Sequence, residues 1–104
     1  MTVHLPIFLT LTFMVLTTAN AAAQDGKALY DQKLCTTCHG VGGKQPIVGT
    51  YPKLAGQNKD YLVAHFKDIQ NGARDNGQTA AMKGIVAGVS DQEIEAIADY
   101  LSKL

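Results

Sequence analysis

Residues 35–39 read Cys-Thr-Thr-Cys-His, and Cys35 and Cys38 are the only cysteines in the chain. Few chemistries use two thiols at this spacing with an imidazole directly after them. A dithiol redox pair has the same spacing, but it sits at the start of a helix inside an α/β unit, and no stretch here alternates like a strand. A tetrahedral zinc ion needs four ligands. Cys38 and His39 are adjacent, so they cannot easily share one small ion, and there is no second cysteine cluster to complete the set. A plain Cys35–Cys38 disulfide leaves His39 without a role. Covalent haem attachment gives all three residues a task. Thiols about one helical turn apart can add across two vinyl groups of one porphyrin, and the next residue is held under the ring, where its imidazole reaches the iron.

The ends of the chain bear on where such chemistry takes place. Residues 5–19, LPIFLTLTFMVLTTA, carry no charge and are followed by NAAAQ, the layout of a secretory leader. Cleavage after Ala21 or after Ala23 satisfies the small-x-small rule. The run is shorter than the roughly 20 residues that span a bilayer, so removal is expected rather than retention as an anchor. Residues 1–23 are accordingly read as a signal peptide and 24–104 as one domain, delivered to the periplasm and not embedded in a membrane. The nine basic and nine acidic side chains all lie after residue 23 and cancel. That balance carries no nucleic-acid footprint.

The remaining segment is all-α by pattern. A first helix is expected over about 25–34, capped by Asp25, with Leu29, Tyr30 and Leu34 on an apolar edge. A second is expected over about 59–70, with Asn58 as cap, Leu62, Phe66 and Ile69 on one face, and Tyr61 and His65 beside them. Gly72 ends it, and a short helical piece follows near 80–87. The last helix has a capping box in Ser90 and Glu93, a hydrophobic staple in Val89 and Ile94, and a stripe of Ile94, Ile97, Ala98 and Leu101. Between the first two helices, residues 40–57 show neither helical nor strand period. A loop this long in a small domain is expected to wrap something, and a large flat cofactor supplies it.

An iron held by His39 has a sixth position, and three fillers are open on the residues alone. Met82 is the only methionine after residue 23, and a neutral thioether makes a six-coordinate electron-transfer iron of raised potential. His65, the only other histidine after residue 23, gives a lower-potential pair. An open site would permit ligand or peroxide chemistry. His39 itself needs an acceptor for its second N–H, and a backbone carbonyl in the loop that holds Pro46 and Pro52 is the natural candidate.

With these residues in place, the chain resembles the class I c-type cytochromes. It is similar to the small monohaem periplasmic type and to single lobes of two-haem relatives. The resemblance rests on CTTCHG, YPKLAGQ, the YL and NGAR that flank the second helix, Met82, and GVSDQEIEAIADYLSKL. It implies a single-domain helical fold of three to four helices around one covalently bound haem c. It implies that Cys35 and Cys38 form the thioethers, that His39 is the proximal iron ligand and that Met82 is the distal one. It also implies a crossing of the first and last helices, to which Gly26 and Tyr30 contribute from one side and Ile97 and Tyr100 from the other. The implied function is single-electron transfer between redox protein partners by a monomeric carrier that is not an enzyme. An accessory haem subunit of a larger oxidoreductase and a peroxidase-like protein are the alternatives. One departure stands out: His65 occupies a position where relatives commonly have glutamine.

Overall fold

Ser90 starts the last helix as its sequence requires. Its hydroxyl accepts the Glu93 N–H at 3.2 Å, and the Glu93 carboxylate accepts the Ser90 N–H at 3.0 Å. The computed structural model describes residues 25–104, together with 1–4, 6 and 14. The expected leader run over 5–19 and its cleavage points at Ala21 and Ala23 lie outside the described residues. Among those described there are five α-helices and no strand: α1 (Gly26–Gln32), α2 (Cys35–His39), α3 (Lys59–Asn71), α4 (Thr79–Val86) and α5 (Asp91–Ser102).

The apolar stripe of α5 is the centre of the core. Ile94, Ile97, Ala98 and Leu101 are fully buried, and Val89 is buried in the same core. Burying an Ile or Leu contributes about 1.5–3 kcal/mol, so this one face outweighs any surface pairing in the molecule. α3 is capped as expected, with Asn58 Oδ1 accepting from Tyr61 N at 3.1 Å, and it stops at Gly72, whose φ of 82° is left-handed. Its Leu62, Phe66 and Ile69 are buried against the same core.

α1 starts at Asp25, which accepts from Lys27 N and Ala28 N. It does not reach Leu34, as its pattern suggests. The helix ends at Gln32, and Leu34 takes a left-handed φ of 66°, the only positive φ at a non-glycine among the described residues. That turn breaks the helical ladder and re-aims the chain so that Cys35 begins α2. Leu34 therefore leaves the apolar edge of α1 and is exposed, at the mouth of the cleft described below. The motif thus forms a helix of its own, one more than the pattern predicts, because five residues are too few to show a period.

α1 crosses α5 at very close range. A Cβ on Gly26 would lie 2.1 Å from Ala96 O, and the Tyr30 and Tyr100 rings meet edge to face with centroids 6.0 Å apart. Ile97, expected at this crossing, is buried in the core beside it. α4 packs on α3, and the junction of α4 with α5 is stitched to α3 by Gln70. The Gln70 amide donates to both Val86 O and Val89 O, each at 2.8 Å. The long connection folds back on itself: Gly43 O accepts from Leu54 N and Ala55 N, and Gly56 N donates to Leu101 O.

Candidate functional site

The connection, α2, α3 and α4 leave between them a cleft of roughly 450 Å³. Its walls are mainly apolar, with Leu54, Leu62, Phe66, Ile85 and Val86 among them. Cys35, Cys38, His39 and Met82 all line it. Cys35 is buried and Cys38 half-buried, and the single turn of α2 sets them toward the same space. Burial pushes the Cys35 thiol up to about 11, so in the bare chain it stays protonated at neutral pH.

His39 is buried, at 7% exposure. Its Nδ1 lies 3.0 Å from Pro52 O. A carbonyl only accepts, so the proton sits on Nδ1 and the Nε2 lone pair is left bare. The loop carbonyl that the sequence leaves unspecified is therefore that of Pro52. Tyr30 Oη donates to Gly40 O at 2.6 Å, which ties α1 to the residue after the motif and fixes the end of α2. Burial, with Cys35 beside it, holds the Tyr30 phenol protonated far above its usual range.

Met82 projects from α4, half-buried, and packs against the core cluster at the cleft. His65 also lines the cleft, from α3. Its Nδ1 is 2.7 Å from Arg74 Nη1, and its ring lies against Tyr61 with centroids 4.0 Å apart. Arg74 is the cleft residue that composition and periodicity do not single out. It sits in a polar run after α3, and only the NGAR stretch points to it.

The arrangement suits a flat, apolar, metal-bearing cofactor and does not suit a bare ion. Among the described residues no three His, Cys, Asp or Glu side chains are placed to hold a metal by themselves. Instead there is one imidazole with a free lone pair, two thiols on one turn, a thioether on another wall, and apolar side chains between them. Those are the donors and the surface that haem requires, so the residues present fit it.

Comparison with known proteins agrees with this geometry. The family model described as Cytochrome c matches residues 23–104. Cytochrome c-553 of Nitratidesulfovibrio vulgaris is 39% identical over 84 residues, covering 81% of this chain and 80% of its own. Cytochrome c4 of Pseudomonas aeruginosa is 36% identical over 100 residues, covering 96% of this chain but only 46% of its own. The crystal structure of reduced recombinant cytochrome c4 from Pseudomonas stutzeri superposes with a TM-score of 0.68 at 34% identity, over 79% of this chain and 47% of that one. The chain thus spans less than half the length of these c4 relatives.

Proposed function

The chain belongs to the cytochrome c family, with the class I fold and haem c as its covalent cofactor, and on that premise we propose that it is a one-electron carrier with His39 and Met82 as axial ligands. Cys35 and Cys38 would hold the porphyrin through thioethers. The observation that carries the reading is the pairing of His39 Nδ1 with Pro52 O, which presents Nε2 to a cleft that Met82 also lines. When bound, haem supplies a one-electron couple at its iron. The chain's part is to fix the ligand geometry, to keep water from the apolar walls, and to hold the His39 proton at Nδ1. The likeness to cytochromes c supports a carrier that serves redox protein partners rather than an enzyme.

Residues 1–23 fit removal on export, and the carrier then works in the periplasm as a monomer. Among the described residues no helix is long and apolar enough to cross a membrane. The formal net charge of zero favours weak, transient docking that salt affects little. The test of ligation is optical. The ferric holoprotein is expected to show the thioether-to-iron charge-transfer band, and the reduced form to bind no carbon monoxide. Rapid carbon monoxide binding by the unmodified protein would sink the Met82 assignment. Mass measurement of the exported protein is expected to place its first residue after Ala21 or Ala23.

A further inference from the structure

Two imidazoles line the same cleft, and their neighbours set them in opposite tautomers. His39 gives its Nδ1 proton to Pro52 O at 3.0 Å, which bares Nε2. His65 faces Arg74 Nη1 at 2.7 Å through its own Nδ1. A guanidinium carries donors only and remains charged, so His65 Nδ1 must accept. The ring is then neutral, with its proton on Nε2. A nitrogen that bears a proton has no lone pair to offer a metal.

Arg74 is well placed to impose this state. Its backbone N–H donates to Asp68 O at 3.0 Å across the left-handed turn at Gly72, so the chain doubles back after α3 and returns the guanidinium to the helix it has just left. Among the described residues no carboxylate pairs with it within 4.0 Å. Among the described side chains its partner is the His65 ring. The selection matters because the cleft is lined by two further side chains of iron-ligating type, the Met82 thioether and the His65 imidazole. Something must decide between them.

We propose that Arg74 decides the axial ligand set: by holding His65 as the Nε2–H tautomer, it keeps that imidazole off the iron and leaves the sixth position to Met82. This selection role rests on the Met82 reading above, whereas the tautomer it depends on does not. Arg74 acts through His65 and is a positioning residue. Losing a hydrogen bond from a charged donor shifts the ratio of His-ligated to Met-ligated molecules by about ten- to hundredfold.

The first measurement is made on the unmodified holoprotein, reduced and diamagnetic, at neutral pH. Long-range proton–nitrogen NMR of His65 is expected to show a protonated Nε2 and an accepting Nδ1. A protonated Nδ1, or an imidazolium, overturns the proposal whatever ligand the iron has. The second is Arg74→Leu, which is expected to lose thioether-band intensity and to gain a lower-potential, His-ligated form. Arg74→Lys, which keeps a donor, is expected to restore the band, as is Arg74→Leu combined with His65→Gln. An Arg74→Leu holoprotein with its full thioether band overturns the selection role. Absence of that band from the unmodified protein would instead remove the Met82 reading and the selection role with it, while the NMR result still judges the tautomer.

Discussion

Gly26 meets Ala96 backbone to backbone, with room for a hydrogen and nothing larger: a Cβ there would lie 2.1 Å from Ala96 O and 2.7 Å from Tyr100 Cβ. In an isolated helix, alanine is favoured over glycine by roughly 0.5–1 kcal/mol. At this crossing the sign reverses, since neither obstacle is the far end of a flexible side chain. Gly26→Ala is expected to destabilise the holoprotein by at least about 2 kcal/mol and to lower its thermal midpoint by several degrees. An unchanged midpoint would mean that α1 can slide along α5 without loss.

Met82→Ala tests the thioether. Removing it is expected to lower the reduction potential by on the order of 0.1 V or more, and to admit carbon monoxide to the reduced form. Equilibrium redox titration checks the first outcome and optical ligand titration the second. An unchanged potential would place the ligand elsewhere.

Gln70→Leu addresses the stitch between α3 and the end of α4. Val86 O keeps the backbone donor Val89 N, so in the variant it is Val89 O that is left without its donor, at a cost of about 1–3 kcal/mol. α4 has no side-chain cap at its start, and Val86 is its one buried residue. The loss is therefore expected to appear locally, as amide exchange in α4 faster by about tenfold or more while α1 and α5 stay protected. Uniform acceleration across all helices would argue against a local role.

Glu93 makes stability sensitive to acid. The Ser90 backbone N–H, and then Lys33, hold its carboxyl below the ordinary 4.5. A folded value lower than the unfolded one means that the stabilisation is complete above about pH 4.5 and is lost as pH falls through the folded value. Glu93→Gln keeps an acceptor for the Ser90 N–H but cannot titrate and loses the 3.2 Å pair with Lys33. Denaturant unfolding is expected to find it less stable at pH 7, with a flatter decline below pH 4.5. A parallel decline in both proteins would assign the acid sensitivity to other groups.

Features written in a few neighbouring residues were legible before the fold was seen. The Ser90–Glu93 box, the Asn58 and Asp25 caps, the faces of α3 and α5 and the attachment motif all depend on short-range spacing. Features that short-range spacing does not encode depend on parts of the chain that meet only on folding. Leu34 reads as one more apolar residue of α1, yet the turn into α2 makes it left-handed and exposed. No pattern selects the Pro52 carbonyl from its neighbours, because a loop without a period conceals where it passes. His65 reads as a rival ligand until Arg74, nine residues on, is brought to its Nδ1.

Gly26 opens the first helix and Tyr100 lies in the last turn of the final one, so their contact brings the beginning and end of the wrap to one place. A unit whose chain enters and leaves side by side can be strung in tandem, each copy closing on its own cofactor without borrowing walls from the next. The cytochrome c4 relatives, of which this chain spans 46% in one case, have the length that such doubling would give. The glycine at this crossing is thus also what lets the first and last helices of the domain meet.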